Sequence, residues 1–284
     1  MPEFLTVAEL AELLRLKERK IYDLAASGDV PCSRATGKLL FPEREIRAWI
    51  AEHTTGTRQA DPRPPILLGS HDPLLDWAVR ESRCNLATYF DGSLDGLQRF
   101  HAREGVACGL HVYHAGDDLW NLPSVADSAD AVLVSFARRR RGLVLRPDEE
   151  RIERLEDLKG RRFAPRQPLS GTASLFRHLA GDAGLGDADL SLTPVSRTET
   201  EAVQAVARGE ADATFGLETL ARDFGLRFLP LVEECFDLLI DRRDYFEAPV
   251  QALLDFCRGD VLREQAERLG GYDIATLGEI RWNA

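Results

Sequence analysis

The chain has 284 residues, enough for one large or two smaller domains, and its apolar content of 44% includes no run long enough to span a bilayer. Its net charge of −11 argues against a protein that coats nucleic acid, yet residues 1–60 hold nine Lys/Arg and nine Asp/Glu, so the whole acidic surplus lies in 61–284. Five widely spaced cysteines without a CxxC pair point to a reducing cytoplasm rather than to a disulfide framework or a zinc site. The opening MPEFLTVAELAELL carries acidic residues and no basic n-region, so neither a secretory signal nor a membrane partner is expected.

Thr6-Val7-Ala8-Glu9 has the form of a capping box, and Val7, Leu10, Ala11 and Leu14 follow at helical spacing. A tight turn at Arg15-Leu16 leads to a second helix, Lys17 to Ala26, ended by Gly28 and Pro31. A short hairpin over 33–41 follows, and Pro42 opens a third helix with Ile46, Trp49 and Ile50 on its apolar face. Helix, turn, helix, hairpin, helix within residues 1–53 is the plan of a winged helix-turn-helix. Leu5 to Ile50 resembles the excisionase-like family, related to the mercury-resistance-regulator type of DNA-binding domain. Lys17 departs from the Ser or Thr that such domains place there. The resemblance implies that helix two enters the major groove and the hairpin acts as a wing. Arg19, Lys20 and Tyr22 are then the groove candidates, with Lys17, Arg34 and Lys38 on phosphates. Each is equally readable as a solvated surface residue.

Residues 54–65, TTGTRQADPRPP, are polar and Pro-rich and read as a stiff connector. From Ile66 onward strands alternate with helices. Strands are expected at 66–69, 86–90, 106–112, 131–136, 161–164, 213–217 and 228–240, with helices at 74–79, 94–101, 201–207 and between 249 and 269. Such alternation predicts α/β layers around a largely parallel sheet. LLGSHDPLLD, YFDGSLDGL, LEDLKGRRFAPRQPLSGT and VARGEADATFGLE resemble the type II periplasmic-binding-protein fold, and most narrowly its cytoplasmic branch fused to helix-turn-helix modules. A distant similarity extends to molybdate- and tungstate-binding proteins. The resemblance implies two lobes flanking a cleft, placed at about 66–140 with 240–284, and at 141–239.

Three strand-to-helix loops carry small hydroxyl residues: Gly69-Ser70-His71-Asp72, Asp91-Gly92-Ser93 and Ser170-Gly171-Thr172. Hydroxyls and amides at helix starts suit an oxyanion or a polar head group, and each Ser or Thr also reads as a simple helix cap. Ser70, His71, Asp91, Gly92, Ser93, His111, Arg166, Ser170, Gly171 and Thr172 are the candidate ligand residues. The histidines are also readable as structural, and Arg166 as a surface ion pair. Glu218 is added by the resemblance, although a carboxylate suits a bare dianion poorly. The run Arg138–Arg141 reads as a solvated strand end or lobe contact.

No GxSxG, HExxH, Walker or GxGxxG pattern is present, so no enzyme, metal or cofactor is expected. The expectation is a cytoplasmic, dimeric regulator that binds double-stranded DNA and senses a small molecule, with molybdate or tungstate as candidates. A DNA-architectural protein, or a cofactor-handling protein of molybdenum metabolism, is the alternative.

Overall fold

The structure is a computed structural model and describes residues 4–34, 37–52, 62–168 and 170–284. Residues 35 and 36 of the expected wing, and 54–61 of the expected connector, lie outside the described residues. The chain divides into two units, 1–62 and 63–284.

In the first unit, β1 (Phe4–Leu5) precedes α1 (Val7–Leu14), α2 (Glu18–Ser27), β2 (Phe41–Pro42) and α3 (Glu43–Glu52). The capping box forms: the Thr6 amide donates to Glu9 Oε2 at 2.7 Å, and the Glu9 amide to Thr6 Oγ1 at 3.3 Å. Helix α2 starts at Lys17 without a side-chain cap and stops at Gly28, whose φ of 79° a side chain would resist. Leu10, Ile21, Phe41 and Ile46 are fully buried and, with Ala11, Ala25 and Val30, form the core of a three-helix unit. Ser33 and Leu40 exchange backbone hydrogen bonds of 2.7 and 2.9 Å at the base of the wing. Strand β1, absent from the sequence reading, pairs antiparallel with β2 and ties the N-terminal segment to the wing's return.

The second unit begins with β3 (Ile66–Gly69), α4 (Pro73–Ser82), β4 (Ala87–Phe90), α5 (Ser93–His101) and β5 (Ala107–Leu110). The small hairpin β6 (Tyr113–His114) and β7 (Leu119–Trp120) and the short helix α6 (Leu122–Val125) lead to the long strand β8 (Ala131–Leu145). Next come β9 (Arg162–Ala164), α7 (Gly171–Asp182), β10 (Ser191–Leu192), α8 (Glu199–Ala207), β11 (Ala213–Leu217) and α9 (Glu218–Asp223). A second long strand, β12 (Arg227–Asp241), returns to α10 (Ala248–Cys257), α11 (Asp260–Leu269), β13 (Tyr272–Asp273) and β14 (Ile280–Asn283).

The sheet is mixed rather than largely parallel. Strand β3 runs parallel to β4 and β5, and β9 parallel to β10 and β11, while β8 and β12 pair antiparallel along their length. These two 15-residue strands serve both halves of the unit. Their one half pairs with β5 and β14, and β8's other half with β11. Because Asp237–Ile240 pair with β5, the division between the halves falls inside β12 rather than at its end. Separate apolar cores fill the two sides, one around Leu67, Leu75, Phe136 and Leu253, the other around Leu143, Phe163, Leu175 and Phe215. Strands β8 and β12 thus run through both cores.

Of the two expectations for Arg138–Arg141, a solvated edge or a contact between lobes, the solvated edge does not hold. β8 continues through the run to Leu145, so the side chains alternate between faces. Arg139 and Arg141 are fully buried, and Arg138 and Arg140 are exposed.

Candidate functional site

The first half contributes two turns, held together by glycines. Gly69 has φ 101°, and a Cβ there would run into the Gly109 carbonyl oxygen; a Cβ on Gly96 would run into the Gly69 backbone. That close approach seats the start of α5 on the end of β3. The Ser70 and Ser93 hydroxyls come within 2.8 Å, and the His111 amide donates to Ser93 Oγ at 3.1 Å.

The second half contributes the start of α7. Ser170 is its N-cap, accepting from the Ala173 amide at 3.1 Å while its own O–H goes to the Gln167 carbonyl at 2.8 Å. Thr172 donates to Glu199 Oε1 at 2.8 Å. Two contacts join the halves here: Gln167 Nε2 donates to the Asp91 carbonyl at 3.0 Å, and Gly171 packs against His111.

Between these turns lies a cavity of about 40 Å³. Ser70, His71, Asp91, Gly92, His111, Arg166, Ser170 and Thr172 all line it, so the three turns singled out in the sequence do meet. Ser93 is fully buried just behind Ser70, and Gly171 sits at the seam with His111. Glu218 is elsewhere: its carboxylate pairs with Arg140 at 2.8 Å and does not line the cavity. A second carboxylate in the cavity, besides Asp91, is Glu199, at the start of α8, accompanied by Arg197 and Thr198. The sequence reading missed all three. A capping box from Thr198 to Glu201 was the available signal for a further helix start.

A buried ion network lies against the cavity. Glu234, in the middle of β12, accepts from Arg141 Nε at 2.8 Å, pairs with Arg139, and faces His111 Nδ1 at 3.1 Å. Arg139 also pairs with Asp72 at 2.9 Å, whose carboxylate takes the Tyr272 O–H at 2.8 Å and caps α4 through the Leu75 amide. Arg141 reaches Glu199 at 2.7 Å. The guanidinium of Arg139 stacks 4.2 Å from the Phe236 ring centroid.

These contacts fix the charges. Burial alone would raise the Glu234 carboxyl, but Arg139 and Arg141 hold it well below the usual range. Glu199 likewise is pulled against burial by Arg141 and Arg166, to about 2. Burial lowers His111, outweighing the Glu234 carboxylate, so its ring is neutral; with Nδ1–H on Glu234, Nε2 is left as an acceptor. Arg166 is pushed down by burial, opposed by Glu199, and donates to the Ser196 carbonyl at 2.7 Å.

In the first unit, Lys17, Arg19, Lys20 and Lys38 are exposed, and Tyr22 is 52% exposed, opposite the buried Ile21 and Ala25 of α2. Arg34 is exposed overall with one nitrogen 3.4 Å from the Ala25 carbonyl.

A shared sheet crossed by two long strands, with loops converging on an interlobe cleft, defines a substrate-binding-protein fold, here joined to a helix-turn-helix unit. Residues 77–258 match the family model of the PBP superfamily domain and residues 4–54 that of a helix-turn-helix domain. The chain belongs to the PBP superfamily-domain family and carries an excisionase-like helix-turn-helix at its N-terminal end. An uncharacterised protein of Bacillus subtilis (strain 168), YvgK, is 23% identical over 302 residues, covering 97% of this chain and 96% of that one. Among solved structures, a substrate-binding protein from Clostridium perfringens with bound phosphate superposes with TM-score 0.56, at 11% identity over 76% of this chain and 99% of that one. The regulatory domain of a LysR family regulator from N. meningitidis gives TM-score 0.52, at 12% identity over 73% and 97%. Both likenesses concern the fold alone.

Proposed function

We propose that the chain is a cytoplasmic one-component transcriptional regulator. Its helix-turn-helix unit binds double-stranded DNA, and its second unit senses a small molecule in the cleft. The observation that carries this reading is the meeting of three turns from both halves, with Arg166, around one cavity at the seam. Three helix starts, at Ser93, Gly171 and Glu199, are directed to the same place and favour a ligand bearing an anionic oxygen group. Molybdate and tungstate are members of that class. Ser70, His71, Asp91, Gly92, His111, Arg166, Ser170 and Thr172, joined by Arg197 and Glu199, are the residues we assign to the ligand.

Lys17, Arg19, Lys20, Tyr22, Arg34 and Lys38 are assigned to DNA, the first and last two on phosphates. One such unit makes a small interface, so a homodimer on two half-sites is the assembly proposed. Ligand binding holds the two halves together and biases DNA affinity by a coupling of roughly 1–3 kcal/mol. The test is native mass spectrometry of the full chain purified from its own host, followed by DNA affinity with and without the molecule that accompanies it. A bound molecule whose removal changes DNA affinity supports the reading; DNA affinity indifferent to its removal overturns it.

A further inference from the structure

Several polar groups around the cavity are acceptors whose protons are already committed. Thr172 gives its O–H to Glu199, and Ser170 gives its O–H to Gln167, so toward a ligand these hydroxyls offer lone pairs. Glu199 lines the cavity with Oε1 engaged by Thr172 and Arg141, while Oε2 is buried and has no hydrogen-bond partner among the described residues. His111 lines the cavity too, with Nδ1 turned to Glu234. On the donor side, Arg166 has a buried Nε without a hydrogen-bond partner among the described residues, in addition to the amides at the start of α7. The charged side chains in the lining, Arg166 and Arg197 against Asp91 and Glu199, balance to zero. This is a cavity with both kinds of partner unmet and no surplus of positive charge.

We infer that the cleft selects an anion that itself carries an O–H or N–H donor, and discriminates against fully deprotonated oxyanions such as sulfate and molybdate. The inference rests on the cleft being the ligand site and sharpens what enters it. A bare dianion satisfies Arg166 and the helix amides but leaves Glu199 Oε2 buried, unpaired and beside like charge. An anion with one protonated oxygen or an ammonium group places a charge-assisted hydrogen bond there instead. The oxygen that the sequence resemblance sought at Glu218 is thus supplied from α8.

Hydrogen phosphate and sulfate have the same shape and differ by that proton, which makes them the probes. Affinities of the full chain at pH 7.5 are measured by calorimetry for hydrogen phosphate and for glycine and L-serine, against sulfate and molybdate. The first gives an O–H donor, the amino acids give N–H, and the last two give none. At least one donor-bearing anion binds tenfold or more tightly than both donorless ones, and Glu199→Gln, whose amide donates, narrows that ratio at least tenfold. The wild-type ratio alone decides the matter should the variant fail to fold. Sulfate or molybdate binding as tightly as every donor-bearing probe, an unchanged ratio in a folded variant, or no probe binding at all would each overturn the inference. The regulator reading fails on a different result, namely DNA affinity that ignores a saturated cleft.

Discussion

Gly171, on the first turn of α7, packs so closely on His111, at the end of β5, that a Cβ at 171 would lie 2.6 Å from the His111 carbonyl oxygen. The two residues belong to opposite halves of the sensor unit, and the obstacle is backbone that cannot rotate away. Gly171→Ala therefore props the seam open. Hydrogen exchange at the His111 and Thr172 amides should quicken in the variant, and ligand affinity should fall tenfold or more. Unchanged exchange would mean that the seam adjusts at no cost.

The arginine run gives a second prediction. Glu234→Ala removes the carboxylate that the buried Arg139 and Arg141 share, leaving them one partner each in Asp72 and Glu199, and is expected to cost about 3 kcal/mol, read from urea unfolding. Arg138 is exposed and 3.9 Å from Glu233, so Arg138→Ala should stay within about 0.5 kcal/mol. Equal costs would contradict the alternation of faces along β8.

The acid limb of stability should carry the signature of Glu199. Its folded value of about 2 lies below its ordinary 4.5, so its contribution is complete above pH 4.5 and disappears as pH falls toward 2. The size is about 3 kcal/mol, by roughly 1.4 kcal/mol per unit. Thermal unfolding across that window should be flatter in Glu199→Gln than in the wild type.

Asp237 works in the opposite sense. Burial raises it to about 6 from 3.8, with one oxygen on Asn121 at 2.7 Å. The native state then holds this proton more firmly than the unfolded chain. Its ionisation costs stability as pH rises from about 4 to 6, to a total of about 3 kcal/mol. Asp237→Asn should be more stable than the wild type at pH 7 and equal to it near pH 4. A variant less stable at pH 7 would show that the carboxylate is needed ionised.

For the helix-turn-helix unit, Lys20→Ala should weaken binding to the specific DNA by about 1–3 kcal/mol and relax sequence preference, as loss of a base contact does. Ligand affinity should not change. Equal weakening on every sequence removes Lys20 from the groove contacts.

Much of this was legible in sequence because the signals are local. The Thr6 box, Gly28, and the glycines flanking Ser70 and Ser93 each dictate a cap or turn at their own position. Three such turns could be identified separately, and the α/β order brought them together. The network around Glu234 was not legible in the same way. Reading the fourth strand as ending at Phe136 cut β8 before the arginines, so a period-two alternation of buried and exposed side chains passed for a charged edge. The apolar Leu143-Val144-Leu145 beyond the run was the signal for continuation. Glu199 was missed because its partner Arg141 is distant in sequence: one opens α8 and the other lies on β8, and only the packing of the helix start against the sheet brings them together.

The central claim is that the DNA-binding unit responds to cleft occupancy. Fluorescence anisotropy of the full chain on a DNA fragment selected from its host genome tests it directly, with and without a saturating concentration of whichever anion calorimetry finds to bind. A shift in DNA affinity of about 5- to 150-fold, lost in Gly171→Ala, is the predicted result. Identical affinity with the cleft empty and full would contradict the account.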